Sequence, residues 1–449
     1  MVLLFVLGIA FGPLAGDWWV QRQLDADLAR LRAAGEPVVA ADLWGDPVSD
    51  DRNASLDYKA AGPLIDERRP AWDRWNHSQQ GDYRIPLTPA ERETVQSVVA
   101  DNGPALARVA AAREKVCGPW RDSLAPPYLA ASRQFDLNAV RRLASLLKLA
   151  TLSAHSDGDD RRALAYLLDL CRLGDSAEWR PTLGGHMVAV GIWAVAIDTV
   201  GLIAPDLQVD AATRPQADEL IARLLDDRGA RAGQRLAWAS ERIIDVTWLR
   251  GVAVGRVVDA GPASPRHVTL QGYIDGPLVL SDARVLSDFL EQLTRAGRAA
   301  DWPAARQLMP TALERRVEEN HRWHPFASVL LPGLRFPVLT EFKCLAARRL
   351  AAVAVAIRLF VIDHGGRRPA SLAELAPAEL PPVPPAPMSG GTLRYHLGGT
   401  DPRVYSIGEN GVDNGGIEPG VDAPYAKRKE LDDLVVHLTH QPRPATRPG

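Results

Sequence analysis

Residues 318–324 read Glu-Glu-Asn-His-Arg-Trp-His, the run in this 449-residue chain whose spacing best suits a metal. Glu318 and His321, three apart, share one helical face, and His324 follows a turn later. A carboxylate-bridged site of that kind also takes a second Glu-x-x-His and two more glutamates on facing helices. No other Glu-x-x-His occurs, so a solvated helix end is expected. His186, at the start of an apolar stretch, and Glu241, in Trp-Ala-Ser-Glu-Arg, are an imidazole and a carboxylate that could serve as acid and base in one cleft. The ordinary expectation for each is a buried polar group bonded to a neighbour. No nucleophile elbow, phosphate-binding Gly-rich loop, dinucleotide fingerprint or His-Glu-x-x-His helix is present. Cys117, Cys171 and Cys344 stand far apart in apolar helical contexts, without zinc spacing, and are expected to pack as small hydrophobes.

The elements around these residues point to a mainly helical body carried on an apolar N-terminal segment. Residues 1–16 are uncharged, and Trp18 and Trp19 follow. As a helix they span about 24 Å at 1.5 Å per residue, and the tryptophans can extend that into the headgroup layer. Residues 1–20 are therefore expected to be a transmembrane anchor or, alternatively, a signal segment, with the membrane itself as a partner. Arg22, Arg30 and Arg32 follow the segment and no cation precedes it, so the charge rule alone puts the body in the cytoplasm. The net charge is −3, from 52 Lys and Arg against 55 Asp and Glu, which gives no basic field for nucleic acid. Cofactors other than a metal have no motif here.

Residues 21–87 are expected to hold a helix over 21–34 and then linker and the start of the body. Trp72, Trp75 and Tyr83 lie in a stretch (70–89) expected to be an irregular packed connection. From the capping box at Thr88 to residue 338 the chain reads as an α-helical body. Helices over 139–155 and 161–173 flank the turn Ser-Asp-Gly-Asp-Asp, like one tetratricopeptide-type hairpin. The apolar stretch 187–204, interrupted by Asp198, is expected to be a buried helix rather than a second span. Helices are also expected over 211–226, 233–251, 280–296, 304–308 and 311–322, with 266–274 extended. Pro325, Pro332 and Pro337 mark a connection.

The segment 339–440 reads as a small α+β module. An amphipathic helix over 342–363 ends at Gly365, a capping box at Ser371 opens a short helix, and the Pro-rich run 380–387 must be extended. Two strands, 392–397 and 403–407, flank a Gly-Gly-Thr-Asp-Pro turn, and a third covers 434–438, giving a three-stranded antiparallel sheet. Residues 441–449 are expected to be a disordered tail. Between the last two strands lies Tyr-Ser-Ile-Gly-Glu-Asn-Gly-Val-Asp-Asn-Gly-Gly, residues 405–416.

With Arg-Arg-Pro-Ala-Ser-Leu-Ala-Glu-Leu (367–375), Leu-Arg-Tyr (393–395) and Asp-Asp-Leu (432–434), this order of parts resembles the globular domain of type II secretion major pseudopilins. The resemblance covers about 95 residues. It implies that the loop holds calcium through the carbonyl of Ile407 and the side chains of Asn410, Asp432 and Asp433. Asn410 stands where that family has aspartate, which removes a negative charge and weakens calcium, and Asp413 is the nearby carboxylate that could compensate. The prepilin processing site is missing, and more than 300 residues separate the apolar segment from the module's helix, so no pilus subunit is implied. The whole layout also resembles uncharacterised membrane-anchored bacterial envelope proteins, which implies an extracytoplasmic, periplasmic-side body. The expected function is a non-enzymatic envelope scaffold or secretion-associated binding protein. The alternative is a hydrolase-type enzyme with its site in the helical body.

Overall fold

The structure, a computed structural model, describes residues 2–77, 83–120, 137–253, 270–381, 385–399, 401–419 and 423–441. The side chains of 2–14, 77, 137 and 270–275 are outside that description.

Nothing after Pro13 stops a helix until Gly35, and α1 (Val2–Ala33) is accordingly one helix, not an anchor followed by a separate body helix. Gly35 at φ +76° ends it, and Glu36 N donates back to Leu31 O at 3.0 Å. Most of the expected anchor, residues 1–14, has its side chains outside the described residues.

After α1 come α2 (Ala54–Ala61) and α3 (Pro70–His77). The second corrects the irregular connection expected over 70–89 as far as residue 77, while residues 83–88 are irregular as expected. Trp72 and Trp75 are buried and meet edge to face at 5.0 Å, and Tyr83 is buried too, so these aromatics are core rather than a binding surface. The Thr88 capping box opens α4 (Pro89–Asp101): Thr88 N donates to Glu91 Oε2 at 2.7 Å, and Glu91 N to Thr88 Oγ1 at 3.3 Å. Past α5 (Gly103–Ala110), α6 (Leu137–Ser156) and α7 (Asp160–Ala177) form the expected hairpin. Gly158 turns it at φ +77°, and Asp159 Oδ1 caps α7 by accepting from Arg162 N at 3.0 Å.

The long apolar helix is α8 (Leu183–Ile203). By length and composition it could cross a membrane, but it packs on α6, α7, on α10 (Arg228–Ala253) and on α15 (Phe336–Asp363). Between these run α9 (Arg214–Leu225), α11 (Leu270–Gly297), α12 (Trp302–Leu308), α13 (Thr311–Glu319) and α14 (Ala327–Leu334). The strand expected over 266–274 is corrected where it can be seen: the chain is helical from Leu270. Pro332 sits inside α14, and Pro337 is at the first turn of α15, where a missing N–H costs nothing. The helix expected after Ser371 is a single 3-10 turn, Leu372–Leu375.

β1 (Arg394–His396), β2 (Arg403–Ser406) and β3 (Leu434–His437) form the expected antiparallel sheet in the order β1-β2-β3. A short α16 (Tyr425–Glu430) precedes β3. The fold is mainly helical with one small sheet near its C-terminal end.

Two hydrophobic cores meet at α15. Its first turns (Val338, Phe342, Ala346) pack with Leu24 of α1, Trp238 of α10 and Phe289 of α11. Its second half (Leu350–Phe360) packs with α6, α7, α8 and α9 and with Val404 and Val436 of the sheet. Alanines along this half let neighbouring helices approach closely. Truncating a fully buried member such as Leu350 to Ala should cost about 2–5 kcal/mol.

Candidate functional site

The first sequence candidate does not assemble. His321 is exposed and its Nδ1 reaches only the Glu318 backbone oxygen, at 3.3 Å. His324 turns instead to Asp282 of α11, 2.8 Å away. The fully buried Asp282 also accepts from Phe326 N at 2.8 Å and Ala327 N at 3.2 Å, so it caps α14. Among the described residues no group of three or more His, Cys, Asp or Glu is arranged to hold a metal ion.

His186 and Glu241 lie one turn apart in space without pairing. Thr182 Oγ1 caps α8 by accepting from Gly185 N at 3.0 Å, and Glu241 Oε1 accepts from Leu183 N at 3.3 Å. His186 has found two other acids. Its Nδ1 is 2.8 Å from Glu178 Oε2, at the end of α7, and its Nε2 is 3.3 Å from Glu341 Oε2 of α15. All three side chains are buried. Burial alone would lower the imidazole pKa, but the two carboxylates raise it to about 10. Burial pushes Glu178 up to about 7 against the pull of His186. Glu178 Oε1 and both Glu341 oxygens lack a hydrogen-bond partner among the described residues. Gly233 of α10 makes room: a Cβ there would lie 1.9 Å from Glu178 Oε2.

Farther along α8 and α15 the molecule opens into a cleft of about 540 Å³. From α8 come Val190, Ala194, Ile197, Asp198, Gly201 and Leu202, a single stripe at helical spacing. From α15 come Thr340, Lys343, Cys344 and Ala347, again one stripe. The third wall is β3 with the residues after it, Leu434–His437 and Thr439, His440 and Gln441. Charges at the rim are paired: Lys148 with Asp198 at 2.6 Å, Lys343 with Glu409 at 3.1 Å. His437 lies between Asp401 (2.7 Å) and Glu418 (2.9 Å), which raise its pKa. His440 Nε2 is 3.1 Å from Asp206, which also holds His155 at 3.0 Å. His155 is raised to about 9: burial opposes protonation, and Asp160, at 2.5 Å, and Asp206 outweigh it. Burial pushes the Cys344 thiol up, and the Cys117 and Cys171 thiols up to about 12, so none is a ready thiolate.

The Gly/Asn/Asp loop brings its expected ligands together and uses most of them internally. Asn410 Oδ1 accepts from Val412 N at 2.7 Å, and its Nδ2 donates to the carbonyls of Glu430 (2.9 Å) and Lys429 (3.3 Å). Asp413 Oδ1 accepts from Gly415 N at 2.9 Å, and its other oxygen is 3.5 Å from Arg394. Ile407 O accepts from Ser406 Oγ at 3.2 Å. Asp433 Oδ2 accepts from Asn414 N and Gly416 N, both at 3.0 Å, and Asp432 Oδ2 from Asn410 N at 3.0 Å. Turning the Asn414 amide over lets it donate to Glu430 O at 2.9 Å and Val412 O at 3.2 Å. What remains is one buried oxygen without a partner on each of Asp432 and Asp433.

Compared with protein-family models, curated proteins and solved structures, the chain finds no match. Sequence reasoning missed Glu178, Glu341, Lys343, His437 and His440. Two signals were there: Glu178 stands eight residues before His186, and the lone Asp198 in α8 marks the stripe that faces water.

Proposed function

We propose that this is a membrane-anchored, non-enzymatic binding protein of the cell envelope. The apolar first half of α1 sits in the bilayer, and the cleft between α8, α15 and β3 holds a largely apolar ligand. The observation that carries this reading is the cleft itself, a concave site with small and aliphatic walls and a few polar groups at its rim. Against hydrolysis stands the state of its reactive groups: His437 has both nitrogens tied to carboxylates, and Cys344 is held as a thiol. The module carrying β3 resembles a pseudopilin globular domain and supplies one wall, which suits a secretion-associated partner.

In this reading Asp432 and Asp433 would hold a calcium ion through their unpartnered oxygens, with water completing its shell. The ion would supply positive charge between two neighbouring carboxylates that otherwise repel. Its role is to fix the loop from which β3 starts.

The test has two parts. Full-length protein should stay with membranes after alkaline carbonate extraction, and deletion of residues 2–16 should release it. In nanodiscs, a solvatochromic naphthalene dye should bind and brighten, and Ala194→Trp, which fills the cleft, should abolish the signal. Release of the intact protein by carbonate, or dye binding indifferent to Ala194→Trp, would overturn the reading.

A further inference from the structure

Strand β3 has one edge with nothing on it. Leu438 N donates to Pro402 O at 2.9 Å, and the register pairs Val404 with Val436 and Tyr405 with Val435. Bonded pairs alternate along an antiparallel ladder. Val436 and Leu434 therefore spend their backbone groups on β2, while Val435 and His437 turn theirs to the other edge. Among the described residues neither N–H on that edge has a partner. Every residue from Leu434 to His437 lines the cleft, both odd and even. Side chains alternate between the faces of a sheet, so the cleft meets the strand at its edge.

The facing walls leave room for another backbone. Ala194 and Asp198 on α8 are exposed, and a Cβ added at Gly201 would meet nothing within 4 Å. From Val190 to Leu202 the α8 wall runs about 18 Å at 1.5 Å per residue, the length of roughly five or six extended residues.

The run of the helices and of β3 fixes the two ends of the cleft. His186 lies beside Glu341 at one end, and Arg358 Nε donates to Leu207 O at 2.7 Å beyond the other, so α8 and α15 run parallel. The start of β3 lies near Lys343, through Glu409 of the preceding loop, and its exit lies near Asp206, through His440. Lys343 thus marks the near end, and Asp198 and Glu418 the far end. Both ends are balanced by ion pairs: Lys343 with Glu409, Asp198 with Lys148 and Glu418 with His437.

We infer that the cleft takes an extended, apolar segment of a partner polypeptide, which adds to β3 as a fourth antiparallel strand. An antiparallel strand enters at the Asp198 end and leaves at Lys343, pairing its backbone with the free edge of β3. The chain's own end, Gln-Pro-Arg-Pro-Ala-Thr-Arg-Pro-Gly, is a poor occupant, because three of its nine residues are prolines without the N–H such pairing uses. This inference rests on the binding reading above and specifies its ligand.

The test uses full-length protein in nanodiscs and the fluorescent peptide Lys-Val-Thr-Val-Val-Glu, followed by polarisation. The peptide should bind. N-methylation of the alternate amides that would face β3 should weaken it at least tenfold. Val435→Pro removes an edge N–H that the fold does not use, as edge strands tolerate, and should also weaken binding at least tenfold. Dye binding blocked by Ala194→Trp with no peptide binding would overturn the strand and leave the binding reading intact. Peptide binding indifferent to N-methylation and to Val435→Pro would overturn it too. A dimer that Val435→Pro dissociates, with no peptide binding, would assign the edge to a second copy and overturn the proposal. Binding of neither dye nor peptide would overturn both readings.

Discussion

The buried and the open parts of α8 and α15 are built on opposite rules. Facing inward, His186 and Glu341 meet Glu178 in an ionic network cut off from water. Facing outward, Ala194, Gly201, Thr340 and Ala347 present small side chains to an open cleft. Soluble proteins usually put apolar groups inside and charges outside. The inversion separates two tasks on the same helices. Ionic contacts between buried groups are direction-dependent and penalise any slip of one helix along another. A surface of small side chains commits to nothing and stays free to be covered.

The largest effect should come from breaking the inner side. Glu178→Ala leaves His186 short of a carboxylate in a dry site and should cost about 3–5 kcal/mol in denaturant unfolding. Ala194→Ser, on the same helix but facing out, should stay within about 0.5 kcal/mol. Equal costs would mean that the two faces are not mechanically distinct.

Next in size is the pH dependence. His186 is raised in the folded state above the usual histidine value, to about 10, because Glu178 and Glu341 outweigh burial. Its stabilisation is fully present below about pH 6.5 and is lost as pH climbs toward 10. His155, raised to about 9 by Asp160 and Asp206, acts with the same sign in the lower part of that window. The thermal midpoint should therefore fall between pH 7 and 10, and His186→Gln should remove most of the fall above pH 9. A slope unchanged by that substitution would take the network out of the account.

The smallest effect concerns the C-terminal loop, where orphaned charge lies near the surface. Calcium at ten times its dissociation constant stabilises by about 1.4 kcal/mol, a shift of about 2 °C in a chain of this size. Asp432→Asn with Asp433→Asn keeps the oxygens that accept loop amides and should abolish that shift. A midpoint indifferent to calcium would leave the loop closed by hydrogen bonds alone.

Local signals carried well from sequence to structure because they depend on near neighbours. The Thr88 capping box, the Gly158 turn and the alternation of the three strands each depend on residues within a few positions, and each is where it was expected. The helix at 70–77 was hidden by its Trp and charged content, which makes sense only once both tryptophans are seen to be buried together. The site was less legible. Glu341 reaches His186 across 155 positions, and no periodicity encodes such a meeting. The cleft exists because α15 turns one face to α8 and another to β3, which is a property of packing. Asn410, one of the carried-over calcium positions, spends its amide within the loop, accepting from Val412 N and donating to the carbonyls of Lys429 and Glu430.

The join between α1 and the rest of the molecule has a mechanical consequence. Gly16 already touches α11, where an added Cβ would lie 3.2 Å from Pro277. Farther along, Arg30 holds Glu291 with two bonds of 2.8 and 3.1 Å, and Arg284 holds Asp27 at 3.0 Å. No swivel separates the first residues from the body. Whatever grips residues 2–15 sets the bearing and height of the whole molecule, as a mast bolted along its length does for what it carries. With α1 gripped in a bilayer, the mouth of the cleft would sweep no volume of its own, and a partner would have to arrive at one fixed station above the membrane.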